Sequence, residues 1–198
     1  MDARYLQAVS VLPNQTKVCG RTLRPVCLRH RIALEAIGSP FGTESADKPV
    51  TPLDVVLAAR ILSTYDKEKM TGKLSISEKW HLVRMTLSRK YFSRMIGRLL
   101  GCFKVSLSYP KVWEKESEKE NRRYERIPFP LACVSNLVRN GCTLEEAWTM
   151  PEGEAAWMAV AHAIYNGSKI EVLSTDEEKE LEKFDERIAA YKKANNLS

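Results

Sequence analysis

The chain has 198 residues, 44% hydrophobic and 28% charged, with 31 Lys/Arg against 25 Asp/Glu and a net charge of +6. This length suits one or two small domains with a sizeable core, and nine glycines and nine prolines exclude a linker-dominated or collagen-like chain. No run approaches the ~18 uncharged apolar residues of a membrane span, and the start, MDARYLQAVSVLPNQTK, lacks the basic and then apolar regions of a secretory signal.

The charge is uneven. Residues 1–126 carry 24 Lys/Arg and 13 Asp/Glu, whereas residues 127–198 carry 7 and 12. A basic half joined to an acidic half fits two modules, head-to-tail self-association, or a nucleic-acid face on the first half. The cysteines, Cys19, Cys27, Cys102, Cys133 and Cys142, are odd in number and contain no C-x-x-C pair, which reads as a set of reduced cytoplasmic thiols.

Residues 5–25 read as a β-hairpin: YLQAVSVL as a strand, Pro13-Asn14-Gln15 as the turn and KVCGRTL as the return. CLRHRIALEAIG then predicts a helix with Leu28, Ile32 and Ala36 on one face and Gly38 as its stop. After a polar loop over 39–50, Thr51 caps an apolar helix with Pro52 at its first position and Asp54 in its first turn. Residues 70–75 read as a loop. Ser75 and Glu78 form a capping box that opens one long basic helix from about Ile76 to Leu100. Trp80, Leu87, Tyr91 and Met95 share a face of it, which predicts a buried stripe.

Residues 104–126 are dense in charge and read as a connector between a module over 1–103 and an acidic helical module over 127–198. In the latter, Pro128 or Pro130 starts a helix that Gly141 ends, and Thr143 with Glu146 forms a second capping box. Pro151 ends that short helix and opens the next, which Gly167 stops; KIEVL is extended, and Ser174 or Thr175 caps a last helix. The expected fold class is mainly α: a short N-terminal β-hairpin followed by a helical bundle.

Catalytic or metal chemistry finds little footing in the pattern. His30, His81 and His162 lie in distant segments without ligand spacing, and a Cys142/His162 pair would have to be assembled by the fold. Glu145, Glu146, Glu152 and Glu154 offer carboxylates for acid–base work or a hard cation, but all sit in helix first turns, where capping and the helix dipole explain them. No phosphate-binding glycine loop is present. No enzymatic activity, cofactor or metal is therefore expected. Lys79, Arg84, Arg89, Lys90, Arg94 and Arg98, interleaved with Trp80, Tyr91 and Phe92, form a face suited to nucleic acid or an acidic partner. Trp148 and Trp157 flank the Met150-Pro151 break and read as large rings filling a corner between two helices.

The phrase GCTLEEAWTMPEGE, Gly141 to Glu154, resembles the pattern of tail-assembly chaperones of tailed bacteriophages and related gene-transfer particles. GRTLRPVCLRHRIALEAIGSPF, Gly20 to Phe41, is similar to small phage tail-module proteins. The resemblance implies a non-enzymatic factor of tail assembly in the cytoplasm of a bacterial host cell, or in the virion. Its partners would be a tail tube or tape-measure protein, with homo-oligomerisation and nucleic acid as further options and no membrane. Trp148, Met150, Trp157 and Met158 are then the expected apolar contacts, provided they are exposed.

Overall fold

The computed structural model describes residues 3–8, 16–42, 47–114 and 128–194. The fold is mainly α with a small N-terminal hairpin, as expected.

The hairpin is not where the pattern placed it. Residues Ala3–Ala8, which overlap the start of the expected first strand, form helix α1. The β-rich composition is overruled by packing: Ala8 is buried, and the Tyr5 ring meets Trp157 edge-on at 5.6 Å. The expected Pro13-Asn14-Gln15 turn lies outside the described residues. The hairpin itself is tighter, pairing β1 (Lys17–Val18) with β2 (Arg21–Thr22). Its two turn residues, Cys19 (φ 49°) and Gly20 (φ 74°), both adopt positive φ. That is the type I′ geometry whose twist matches a two-residue hairpin.

Helix α2 (Leu28–Ala36) buries Leu28, His30 and Leu34 rather than the face of Ile32 and Ala36. His30 replaces an ordinary cap. Its Nδ1 accepts a hydrogen bond from the Cys27 backbone N–H at 3.3 Å, so the ring proton sits on Nε2, which donates to the Thr64 carbonyl at 3.0 Å. Burial pushes the His30 pKa down to about 4, more than its backbone hydrogen bonds raise it. Neutral imidazole, stacked on Tyr65, is therefore part of the core.

Helix α3 (Pro52–Leu62) begins at the Thr51 cap as expected and supplies Val55, Val56, Ala59 and Leu62 to the main core. Asp66 caps a short α4 (Lys67–Thr71), whose last two residues fall in the expected loop, its Oδ1 accepting from the Glu68 and Lys69 amides.

The expected long helix is two: α5 (Ile76–Leu87) and α6 (Arg89–Ser106). Ser88, extended at φ −128° and ψ 100°, closes the first, and its Oγ accepts from the Tyr91 amide to cap the second. Freed from a common axis, the two helices bury different faces. Met85 goes inward from α5, and Met95, Leu99, Cys102 and Phe103 from α6. Trp80 and Leu87 are exposed, which corrects the expectation of a continuous buried stripe.

Glu78, recognisable from sequence as a capping-box residue, does more than cap. It accepts from the Ser75 amide at 2.7 Å and from Arg60 of α3 at 2.6 and 2.8 Å, and Arg21 reaches it from β2. Burial pushes its pKa up, but the Arg60 and Ser75 hydrogen bonds and the Arg60 charge outweigh that and hold it at about 2. The remaining Arg60 donors go to the carbonyls of Gly72 and Lys73.

The charged connector starts later than expected, since α6 runs through residues 104–106. Strand β3 (Val112–Glu114) follows within it. Helices α7 (Phe129–Arg139), α8 (Leu144–Thr149) and α9 (Glu152–Tyr165), strand β4 (Ile170–Val172) and helix α10 (Thr175–Ala194) complete the chain. β3 pairs antiparallel with β4, Trp113 opposite Glu171. The Thr143/Glu146 box and the positive φ of Gly141 and Gly167 match the sequence reading. A second apolar cluster, formed by Leu28, Cys133, Val134, Leu137, Ala147 and Ala155, lies where α7, α8 and α9 meet α2.

Candidate functional site

Helix α5 has two apolar faces, and the core uses only one. Met85 and the paired Glu78 are buried, and Leu82 packs on the main cluster. At about 100° per residue, Ile76, Trp80, Val83 and Leu87 fall on the opposite side. They are 88%, 55%, 56% and 82% exposed. Single exposed apolar residues are ordinary, but four in a 4-3-4 register over one helix form a stripe. Lys79 and Arg84 border it on either side by the same helical geometry.

The stripe has a rigid base. The Arg84 guanidinium lies 5.0 Å from the Trp80 ring centroid and 4.3 Å from that of Tyr91. His81 Nδ1 and the Tyr91 hydroxyl share a hydrogen bond of 2.8 Å, and the two rings are parallel. The far edge of His81 abuts the hairpin turn, where a Cβ on Gly20 would stand 3.3 Å from Nε2. Burial first, and then the Arg84 charge, lower the His81 pKa. The Trp80 ring, more than half exposed, is thus flanked by Arg84 and His81, which in turn meet Tyr91 of α6 and the hairpin turn.

All six cations of the expected face, Lys79, Arg84, Arg89, Lys90, Arg94 and Arg98, are exposed, and among the described residues no salt bridge engages any of them. Arg98 donates to the Lys17 carbonyl at 3.2 Å. Glu78, the lone acid between residues 76 and 106, is internally neutralised by Arg60. The whole span therefore presents positive charge with an apolar stripe at its α5 end.

The tryptophan corner is built differently. Trp148, Met150, Trp157 and Met158 are all half-buried. Trp148, Met150 and Met158 pack on the second cluster. The Trp157 indole N–H donates to the Ser108 carbonyl at 3.0 Å. Trp148 also walls a groove of about 310 Å³ between α2 and α4, opposite Ile32 and Met70.

Three of the four glutamates have polar partners. Glu145 receives a bidentate bond from Arg29 at 2.7 and 2.6 Å, and Glu146 closes its box with Thr143. Glu152 is buried, accepting from Arg31 at 3.1 and 3.2 Å and from the Tyr109 hydroxyl at 2.5 Å. Burial raises the pKa of Glu154. The Glu152 cluster lines a largely apolar cavity of about 870 Å³ between α2, α7 and α9. Among the described residues no hydrogen bond joins Cys142 to His162, and no group of three His, Cys, Asp or Glu is arranged to hold a metal.

Ile76, Val83 and Leu87 were missed as site residues. A signal did exist: α5 is apolar on two opposed faces, and a helix at the edge of a single core can bury only one.

No helix among the described residues is long and apolar enough to cross a membrane. Compared with protein-family models, with curated proteins and with solved structures, the chain matches none.

Proposed function

We propose that the protein is a non-enzymatic assembly factor that holds an amphipathic helix of a partner on the α5 face. The partner class is the one the tail-assembly resemblance implies, a tail tube or tape-measure protein. The observation that carries this reading is the exposed Ile76–Trp80–Val83–Leu87 stripe bordered by Lys79 and Arg84. Helix-in-groove recognition uses anchors at this spacing, and the flanking cations favour an acidic partner helix. Trp148 and its groove provide a secondary surface of the same apolar kind.

Calorimetric titration with a helical segment of a tail tube or tape-measure protein tests this. Binding near micromolar strength is expected, weakened at least about tenfold by Leu87→Glu, since one apolar anchor of a docked helix contributes roughly 1–2 kcal/mol or more and the variant adds a charge there. Leu87 is exposed, so this variant keeps its fold. Absence of binding, or binding indifferent to Leu87→Glu, defeats the reading.

A second reading, nucleic-acid binding, is favoured by the six exposed cations beside an exposed Trp80. It requires an affinity for labelled DNA or RNA that falls steeply with salt and drops when Arg89, Lys90 and Arg94 are changed together to Glu.

A further inference from the structure

On the docking reading of α5, we infer that a second copy of this chain also occupies that face, through its helix α10, so that copies associate head to tail. α10 carries the complementary surface. Leu181, Phe184 and Ile188 recur at 3-4 spacing, Leu181 half-buried, Phe184 58% and Ile188 39% exposed. The first turn of the helix is tied down through Glu178, which takes ion pairs from Arg4 at 2.7 Å and Lys111 at 2.5 Å. Like the α5 stripe, Phe184 and Ile188 of α10 therefore stay open to solvent.

Charge decides the occupant. Residues 175–188 of α10 hold seven acids, of which Glu178 is spent on Arg4 and Lys111, against Lys179, Lys183 and Arg187, whereas residues 76–106 hold seven Lys/Arg and one acid, itself spent on Arg60. Glu177 and Glu180 stand one turn ahead of Leu181 and Phe184, as Lys79 and Arg84 stand beside Val83 and Leu87. Two α5 faces brought together would oppose like charges, and so would two α10 N-terminal halves. The favourable pairing is α5 of one copy with α10 of another. Such a heterologous contact leaves one α5 and one α10 open at the ends, so it extends into a row or closes into a ring.

Sedimentation velocity on the full chain tests this through complementation. The wild-type mass is expected to rise with concentration up to about 100 µM and to fall back as salt screens the charges. Leu87→Glu, which spoils α5, and Phe184→Glu, which spoils α10, should each be monomeric with unchanged far-UV circular dichroism. Mixed, they should form a one-to-one dimer, because each retains the half that the other lacks. A wild type that stays monomeric, single variants that still associate, or a mixture that does not pair would each overturn the inference. Phe184→Glu retains α5, so it still binds the tail-protein helix if the docking reading stands. Failed self-association with retained helix binding removes only this inference; loss of both removes the docking reading as well.

Discussion

Gly153 shows what one residue decides. Within PEGE the two glutamates are explained by their places in a helix first turn, but nothing in the sequence demands a glycine between them. The structure does: a Cβ at 153 would stand 2.7 Å from the Ser106 carbonyl oxygen, 3.2 Å from the Ala8 methyl and 3.4 Å from the Ser108 amide. The start of α9 is pressed against the end of α6 and the end of α1, and two of the three obstacles are backbone that cannot swing aside. Gly153→Ala is expected to cost about 1–3 kcal/mol in urea unfolding, as overpacking does. Gly97, exposed within α6 with nothing within 4 Å of such a Cβ, should respond the other way. Gly97→Ala should gain about 0.5–1 kcal/mol through helix propensity. Equal effects at the two sites would mean that the seam at Gly153 is looser than it stands here. Ser88 carries a similar lesson. A lone serine amid helix formers was read through as helix, yet its hydroxyl caps α6 and lets the chain turn there.

At the scale of elements, helix starts were legible because their signals are local. Thr51 with Asp54, Ser75 with Glu78 and Thr143 with Glu146 each satisfy backbone amides within four residues. What joins one element to another was not legible. Arg29 and Arg31 sit two apart on α2, and each binds a glutamate more than a hundred positions away. Neither pairing leaves a periodic trace. The two pairs differ in environment, and their energetics should differ accordingly. Glu145 is largely exposed, so Glu145→Ala is expected to change stability little, and less still at high salt. Glu152 is 2% exposed and shared between Arg31 and Tyr109, so Glu152→Ala leaves a guanidinium and a hydroxyl without their acceptor at the wall of an apolar cavity. A loss of about 3–5 kcal/mol is expected there, measured by the same unfolding assay. Comparable losses for the two would show that the Glu152 cluster is better hydrated than its burial implies.

For the whole molecule, the mainly α class followed from helical periodicity and capping. The pairing of β3 with β4, and of α2 with both apolar clusters, depends on contacts remote in sequence. The exposed α5 face lay hidden for a related reason. Periodicity marks apolar faces but does not say which one a core covers, and the unseen break at Ser88 carried the expected buried stripe through Trp80 and Leu87. The same long-range packing makes the fold sensitive to acid. His30 is buried neutral with a pKa of about 4, while an unfolded histidine titrates near 6.5. Between those values the unfolded chain binds a proton that the native state refuses, so stability falls as pH drops from about 6.5 to 4, by at most about 1.4 kcal/mol per pH unit. Glu78 acts in the same direction lower down. Its folded pKa of about 2 lies below the unfolded value near 4.3, so its contribution is complete above about pH 4.5 and is lost as pH falls towards 2. Urea unfolding at a series of pH values should therefore show a decline that begins near pH 6.5, above the range in which an unshifted carboxylate titrates. In His30→Gln, whose side chain cannot charge, the upper limb should shrink to the part that the lowered His81 pKa contributes, while the lower limb persists. A wild-type stability that holds level from pH 7 to 5 would mean that folded His30 takes up its proton as readily as the unfolded residue, against the amide of Cys27 that points at its Nδ1.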